Sequence, residues 1–273
     1  MNNKLFISAD MEGLACVSDR AEVNKAEAAE YAPAREQMTA EVAAACDGAY
    51  LAGVQTVVVK DSHWTGRNLD AHKLAAPEGR ALRLIRGWSG HPFSMVQGLD
   101  GSFDAVAFVG YHSAASRGGN PLAHTMSGRQ LARVEINDEV VSEFLIFSYA
   151  AALVNVRVAF LAGDKALCEE AAGLVDGIVT VPTFEGEGPS ITTMTPSEAV
   201  RSVRDGVQRA VEQKAGHVLS LPAEFTMRLT YTTAAEAYRK SFYPGAKLVA
   251  DNQVEFGSAQ YFEILRFLGF MVM

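Results

Sequence analysis

An acidic pair follows the first apolar run of the chain. In the segment SADMEG, Asp10 and Glu12 stand two residues apart, directly after the apolar run at 5–8. An extended backbone directs both side chains to the same side, where two carboxylates suit a hard or borderline cation. Taken alone, however, the motif favours a structural alternative, an acidic turn at a strand exit that caps the next helix.

Two further polar clusters follow apolar runs in the same way. His63 ends the cluster DSH after the run VVVK, and His112 ends the cluster GYH after DAVAFV. The carboxyl ends of parallel strands meet at one edge of a sheet, where ligands bind in open α/β folds. One strand-end histidine is more often a hydrogen-bonded structural residue. Three successive strands that each end in ligand-type side chains instead favour a metal site.

Two other candidates have less distinct patterns. His124 follows the loop SAASRGGNPLA, whose glycines let the backbone approach a ligand closely, and it fits a structural and a functional role equally. Glu143 opens a predicted helix, where the helix dipole favours a carboxylate with or without a metal, so the structural role is favoured. The contexts of His72, His91 and His217 are typical of turns and solvated surface.

The elements that must position these residues alternate between strand and helix patterns. Apolar runs near 5–8, 56–60, 105–109 and 156–162 predict strands, and apolar residues at helical spacing between 36 and 52 predict a crossover helix that ends at Gly53. This rhythm predicts an α/β fold with an open, mostly parallel sheet flanked by helices. The segment 130–141 predicts a hairpin that turns at Asn137 and Asp138 and leads into a helix near Ser142.

The pattern changes beyond about residue 182. The segment TFEGEGPSITT (183–193) predicts a loop, and TPSE (195–198) has the form of a capping box with proline at the first helical position. We therefore predict a catalytic metal-binding α/β domain at 1–181 and a smaller C-terminal α+β subdomain at 182–273, which supplies a substrate loop and oligomer contacts. The apolar segment from 261 to the C-terminus predicts a helix in the core or at a subunit contact.

The composition excludes several classes of protein. The chain has 273 residues, 49% of them hydrophobic, and a net charge of -8, which disfavours nucleic acid and anionic membranes as partners. Cys16, Cys46 and Cys168 are widely spaced and are expected to be reduced and mostly buried. An acidic residue at position 10 interrupts any signal-peptide core, which predicts a cytoplasmic protein. The first strand runs into DMEG rather than a glycine-rich phosphate turn, which disfavours a dinucleotide-binding dehydrogenase.

An ordered set of motifs resembles a known family. The segments SADMEG, DSHW, HPFSMVQGLD, FVGYHSAAS, HTMSG and INDEVVSE resemble zinc-dependent D-aminopeptidases associated with dipeptide transport, over residues 5 to about 165. The resemblance implies a hydrolase, a metallopeptidase, with two Zn²⁺ ions per chain. It implies that Asp10 bridges the ions, that Glu12 and His63 complete one, and that His112 and Glu143 complete the other. It also implies that His124 is the catalytic histidine and that the chain forms a homo-oligomeric ring, with a decamer as the candidate size.

The implied ligand set suits peptide hydrolysis. Carboxylates and imidazoles bind zinc, and Mn²⁺ or Co²⁺ could occupy the same site. We predict a metal-dependent aminopeptidase that hydrolyses short peptides, D-amino-acid peptides among them, with a two-zinc-activated water. The alternatives are a two-metal hydrolase of another amide or of a phosphoester, and a non-catalytic metal-containing binding protein. The loop at 185–188, with Glu185 and Glu187, is acidic where the family carries lysine and arginine, and it should repel a peptide carboxylate.

Overall fold

Two sheets organise the chain, and the larger one carries the residues of interest. The computed structural model describes residues 3–272. Its strands, in chain order, are β1 (Lys4–Ala9), β2 (Thr56–Asp61), β3 (Ala81–Ile85), β4 (Ala105–Tyr111), β5 (Leu131–Ile136), β6 (Glu139–Val140), β7 (Arg157–Asp164), β8 (Val179–Glu187), β9 (Ser190–Thr193), β10 (Phe225–Tyr231), β11 (Lys247–Ala250) and β12 (Gln253–Ser258).

The larger sheet is seven-stranded, in the order β3-β2-β1-β4-β7-β8-β9. Its pairings from β3 through β8 are parallel, and β9 pairs antiparallel with β8. All seven residues of β4 are buried, as expected for a central parallel strand that is covered on both faces. The predicted α/β class with a mostly parallel sheet is confirmed.

Helices cover both faces of the larger sheet. In chain order the α-helices are α1 (Arg20–Val23), α2 (Ala28–Leu51), α3 (Glu143–Leu153), α4 (Lys165–Leu174), α5 (Pro196–Glu212), α6 (Ala234–Lys240) and α7 (Tyr261–Val272). Of these, α6 and α7 contact β10 and β12 of the smaller sheet. The crossover helix predicted at 36–52 corresponds to the C-terminal two thirds of α2, and Gly53 follows it with φ of 93°, in the left-handed region that ends helices. Gly48 lets α2 pack closely on α5, because a Cβ there would lie 2.1 Å from the carbonyl oxygen of Arg204.

The smaller sheet is five-stranded and antiparallel, in the order β11-β12-β10-β5-β6. The predicted hairpin at 130–141 is confirmed as β5 and β6. Asn137 and Asp138 turn it with φ of 52° and 68°, and two successive positive values are typical of a type I′ turn. Ser142 then caps α3 by accepting a hydrogen bond from the backbone N–H of Leu145 at 3.3 Å. The hairpin and its cap fix where α3 begins, next to the larger sheet.

Two local predictions were wrong. The segment 183–193, predicted as a loop, forms most of the β8–β9 hairpin, because the backbone groups of 184–187 find hydrogen-bond partners in 190–193 across a two-residue turn. The predicted capping box at 195–198 does not form, since the side chain of Thr195 makes no capping hydrogen bond, although Pro196 does open α5. The cysteines are free and mostly buried, as expected: Cys46 and Cys168 are buried and Cys16 is exposed.

Chain order and sheet membership do not coincide. The predicted boundary at 181/182 falls inside β8, and β5 and β6, from the first segment, belong to the smaller sheet. The division into two domains stays a prediction. In α7 the residues Tyr261, Ile264 and Phe267 are buried, which confirms core packing for one face, whereas Phe262 and Phe270 are exposed. No helix within residues 3–272 is long and apolar enough to cross a membrane.

Candidate metal centre

The carboxyl ends of β2, β1 and β4 bring the strand-end residues to one edge of the larger sheet. Ala9 pairs with the last residue of β2 and with Val109 of β4, so the three strands end at the same level. Asp10 follows β1 directly, His63 lies two residues beyond β2, and His112 follows β4. The strand register therefore places these side chains close together, as the sequence pattern predicts.

Two glycines let the segment after β1 pass close to β4. The backbone N–H of Gly13 donates to the carbonyl of Gly110 at 2.8 Å. A Cβ on Gly13 would lie 1.7 Å from the carbonyl oxygen of Tyr111, and one on Gly110 would lie 2.2 Å from that of Asp10. Gly110 also has φ of 75°, which favours glycine. A side chain at either position would displace the segment that carries Asp10 and Glu12.

Asp10, Glu12 and His63 form what we call the first subsite. His63 Nδ1 lies 3.2 Å from Asp10 Oδ1 and 3.1 Å from Glu12 Oε2. His63 Nε2 lies 2.8 Å from the carbonyl oxygen of Val23, which can only accept, so this nitrogen carries the proton in the neutral ring. In that tautomer Nδ1 directs a lone pair at two carboxylate oxygens. A shared cation would stabilise this arrangement.

Asp10, His112 and Glu143 form the second subsite. His112 Nδ1 donates to the carbonyl of Ser113 at 3.0 Å, so Nε2 is the unprotonated nitrogen of the neutral ring. This Nε2 lies 3.5 Å from Asp10 Oδ2 and 3.7 Å from Glu143 Oε2. It is buried and makes no hydrogen bond within the described part of the chain. A buried lone pair without a donor fits a metal ligand.

Asp10 contacts both subsites with different oxygens. Its Oδ1 faces His63 and its Oδ2 faces His112. Atoms of Asp10, Glu12 and His112 that could each bind a metal ion also lie within 4.8 Å of one another, so the subsites are adjacent. A carboxylate with one oxygen toward each of two neighbouring subsites has the arrangement of a bridging ligand, and the nitrogen and oxygen donors suit zinc.

Glu143 and His124 reach the site from the side of the smaller sheet. Glu143 is the first residue of α3, and its Oε1 accepts a hydrogen bond from the backbone N–H of Met126 at 2.6 Å. His124 Nε2 lies 3.8 Å from the same oxygen, and its ring stacks on that of His112 at 4.3 Å. Donor atoms of His112, His124 and Glu143 lie within 4.8 Å of one another, so distance alone also fits His124 as a ligand.

Burial and attraction between opposite charges shift the pKa values of the side chains in this site in opposite directions. Burial lowers the pKa values of His63 and His112, but the nearby carboxylates outweigh it and raise the pKa of His63 well above its ordinary value and that of His112 to about 10. Burial raises the pKa of Glu12, yet attraction to His63 holds it well below its ordinary value. Burial raises the pKa of Glu143 despite attraction to His112 and His124. The site therefore favours a bound positive charge, for which a metal ion and protons compete.

Other histidines lie outside this cluster, and one acidic residue has a role that the sequence pattern left open. His72 and His217 are exposed, as predicted, and His91 is exposed as well. The carboxylate of Asp61 accepts hydrogen bonds from Asn68 Nδ2 at 2.8 Å and from the backbone of Leu69 at 2.8 Å. Asn68 Nδ2 also donates to the carbonyl of His63 at 2.6 Å. Asp61 thus fixes the turn behind His63. In the sequence, the available signal for this role was the position of Asp61 at the end of a strand.

Comparisons with known proteins cover almost the whole chain. A model of the D-aminopeptidase family matches residues 3–270. The D-aminopeptidase of Bacillus subtilis (strain 168) is 30% identical over 247 residues, which are 90% of this chain and 87% of that protein. The structure of the Zn-dependent D-aminopeptidase DppA from Bacillus subtilis, described as a self-compartmentalizing protease, matches with a TM-score of 0.90 and 28% sequence identity, over 98% of this chain and 96% of that one.

These similarities extend far beyond the motifs that first suggested them. The family match spans both sheets and every residue of the two subsites. The resemblance inferred from the ordered motifs is confirmed, and so is the predicted class of enzyme, a hydrolase that acts as an aminopeptidase. The chain belongs to the D-aminopeptidase family.

Proposed function

We propose that this chain is a two-zinc aminopeptidase that hydrolyses short peptides with a D-amino acid at the amino terminus. The observation that carries the proposal is the shared carboxylate of Asp10, with Oδ1 3.2 Å from His63 Nδ1 and Oδ2 3.5 Å from His112 Nε2. The similarity to D-aminopeptidases of Bacillus subtilis, one of them described as Zn-dependent, supports both the metal and the substrate class.

The two subsites would each hold one ion. Glu12 and His63 would complete the first, His112 and Glu143 the second, and Asp10 would contact both. When bound, the two ions activate a water molecule and polarise the carbonyl of the scissile amide. Zinc suits these nitrogen and oxygen donors, and Mn²⁺ or Co²⁺ would be the nearest substitutes.

His124 would move the proton during hydrolysis. Its Nδ1 lies 3.0 Å from the carbonyl oxygen of Leu122 and donates to it, which leaves Nε2 as the acceptor. The side chain is 23% exposed, so a substrate can reach it. As water adds to the carbonyl carbon, Nε2 takes one of its protons. The C–N bond then breaks, and the same proton passes to the departing amine.

The acidic hairpin formed by β8 and β9 would influence which substrates bind. Gly186 of this hairpin packs on the loop that carries His124, since a Cβ there would lie 2.4 Å from the carbonyl oxygen of Gly119. Glu185 pairs with Lys165 at 3.0 Å, but both side chains are largely solvated, which weakens the pair. We expect the hairpin to disfavour a nearby carboxylate. A D-aminoacyl amide should therefore be a better substrate than the matching D-dipeptide.

Metal analysis combined with a substrate panel tests the proposal. The purified protein should carry up to two divalent ions per chain, lose activity to a chelator, regain it with Zn²⁺, and prefer D- over L-aminoacyl peptides and amides. Full activity after exhaustive chelation, with no metal detected, would contradict the metal site. Hydrolysis of phosphoesters without peptide cleavage would favour the alternative two-metal hydrolase.

We further propose that the chain assembles with copies of itself into a ring. Tyr238, Phe242 and Phe270, on or next to α6 and α7, are 60%, 70% and 53% exposed, and aromatic side chains of this kind are enriched at protein contacts. The description of DppA as self-compartmentalizing supports such an assembly. Sedimentation of the protein as a monomer would contradict it. A decameric count and a cytoplasmic location stay predictions.

A further inference from the structure

The carboxylate of Asp164 lies one layer behind the second subsite. Asp164 ends β7 and caps α4, where its Oδ1 accepts a hydrogen bond from the backbone N–H of Leu167 at 2.8 Å. The same carboxylate accepts hydrogen bonds from the backbone N–H and the hydroxyl of Ser113, both at 2.6 Å, and from Asn120 Nδ2 at 3.1 Å. Helix capping requires only the bond to Leu167. The other contacts of this fully buried side chain lead toward the metal centre.

The first of these contacts leads to His112. Asp164 holds Ser113 at two points, the backbone nitrogen and the side-chain oxygen. The carbonyl of Ser113 in turn accepts the hydrogen bond from His112 Nδ1 at 3.0 Å. A fixed carbonyl at this distance keeps the proton on Nδ1 and sets the plane of the ring. The lone pair of Nε2 is then directed at the second subsite.

The second contact leads to Glu12 and His124. The side-chain amide of Asn120 carries two N–H groups, and Nδ2 bonds to Asp164 and, at 3.0 Å, to the backbone carbonyl of Glu12. Asn120 Oδ1 accepts a hydrogen bond from the backbone N–H of Leu122 at 2.7 Å. The carbonyl of Leu122 then accepts from His124 Nδ1 at 3.0 Å. One buried amide therefore connects residues from both sides of the candidate site.

We propose that Asp164 and Asn120 act together as positioning residues for the metal centre. They hold the backbone of Glu12 and the two stacked imidazoles, His112 and His124, in the geometry that metal binding and proton transfer require. The inference rests on the proposed function. Outer partners of metal ligands typically contribute 10- to 100-fold to metal affinity or activity, so the effect of losing them is measurable. A purely structural role for the same bonds predicts a loss of stability alone.

Two single variants separate these roles. Asp164→Asn keeps an oxygen that can accept from the backbone N–H of Leu167, so α4 stays capped, but its new N–H group meets the donors of Ser113 and Asn120. Asn120→Ala removes the connection between Glu12 and Leu122 and leaves Asp164 in place. If Asp164→Asn fails to fold, Asn120→Ala still tests the proposal.

Asn252→Ala is the matched control. Asn252 Nδ2 also donates to a backbone carbonyl, that of Tyr231 at 3.0 Å, but in the smaller sheet and without a contact to the site residues. For each variant we would measure Zn²⁺ affinity by competition with a chromogenic chelator. The melting temperature of the metal-free protein and kcat and KM on a D-aminoacyl amide complete the comparison.

We expect Asp164→Asn and Asn120→Ala each to weaken Zn²⁺ binding by about 10- to 100-fold and to lower kcat more than they raise KM. The double variant should lose less than the two effects combined, because the residues share one hydrogen bond. Asn252→Ala should change neither quantity. Wild-type affinity and kcat in both variants, with only a lower melting temperature, would overturn the proposal. A wild-type protein that neither binds Zn²⁺ nor cleaves the amide would instead overturn the proposed function.

Discussion

The two subsites share Asp10 and are both buried, but they differ in the residues next to them. In the first, the side chains of His63 and Glu12 are 6% and 7% exposed, and the carbonyl of Val23 covers His63 Nε2. In the second, the side chains of His112 and Glu143 are 0% and 3% exposed, but this subsite adjoins His124, whose side chain is 23% exposed. A substrate can therefore reach the side of the second subsite that His124 forms. We infer that the scissile bond lies beside the second subsite and His124, and that the first subsite contributes mainly through the ion it would hold.

The subsites also differ in the elements that build them. The first takes its side chains from the ends of neighbouring parallel strands, β1 and β2, and from the turns that follow. The second combines the end of β4 with α3 and with the loop before β5, which the smaller sheet holds in place. Substitutions can test whether this difference in construction is also a difference in function.

Asp10→Ala should have the largest effect, because it removes the one side chain that both subsites share. We expect loss of both metal ions and a fall in kcat/KM on the order of 10⁴-fold or more, since metal and acid–base contributions vanish together. Metal analysis and turnover of the purified variant measure this, with the exposed Asp100→Ala as a control. The bridging assignment fails if Glu12→Ala abolishes binding of both ions while Asp10→Ala spares them.

His124→Ala should separate turnover from metal content at the second subsite. If His124 acts on the substrate, turnover should fall by roughly 10² to 10⁴, the usual range for losing a general acid or base, while metal stoichiometry and melting temperature stay nearly unchanged. A His124 that only ties down its loop predicts a loss of about 1 to 3 kcal/mol in the free energy of unfolding and near wild-type turnover. Loss of one ion would instead make His124 a ligand.

Glu12→Gln and Glu143→Gln should each affect one subsite. Both changes remove a carboxylate charge and keep the size of the side chain, so we expect a drop of at least about 10- to 100-fold in the affinity for one ion of the pair. Titration with Zn²⁺ should show one weakened step in each variant. If the scissile bond lies beside the second subsite, turnover should fall more in Glu143→Gln than in Glu12→Gln. Equal losses of turnover would show that the subsites work as one unit.

The sequence predicts the first subsite better than the second, for a physical reason. Asp10, Glu12, His63 and His112 follow apolar strands, and parallel strands end at a common edge, so local pattern and one topological rule bring them together. Their placement at that edge agrees with the structure, while their roles as ligands stay predictions. Glu143 is different, because its place depends on how α3 and its hairpin pack on the sheet.

The position of His124 depends on contacts between distant parts of the chain. The loop that carries it leads into β5, and β5 pairs with β10, some ninety residues later, with Met227 opposite Ile136. No local pattern encodes such a pairing, so only the family resemblance distinguished His124 from a structural histidine. The loop predicted at 183–193 was wrong for a different reason: its strands pair locally, with Phe184 opposite Thr193 and Glu187 opposite Ser190, although the segment is rich in turn-forming residues.

Glu41, which lies behind the first subsite, provides a further test of the difference between the two subsites, with the smallest expected effect. It is fully buried in α2, and its Oε1 accepts hydrogen bonds from Gln37 Nε2 at 2.8 Å and from the backbone N–H of Ala15 at 3.1 Å. Its Oε2 has no hydrogen-bond partner among the described residues. Burial raises the pKa of this carboxyl to about 7. The segment that follows Glu12 is thus anchored to an acid that is uncharged below neutral pH.

Glu41→Gln should therefore stabilise the protein at alkaline pH and change little at acid pH. Between the ordinary pKa of a glutamate and about 7, the folded chain keeps a proton that the unfolded chain releases, so the free energy of unfolding falls as pH rises. Above that range the full cost of burying the charge is present, up to about 3 kcal/mol, or several degrees in melting temperature. Glutamine keeps the acceptor for Ala15 and cannot ionise, so it avoids this cost.

For Glu41→Gln we expect a melting temperature above that of the wild type at pH 8, a difference that shrinks toward pH 5, and unchanged turnover. A large loss of turnover in a stabilised variant would show that the first subsite takes part in catalysis beyond holding its ion.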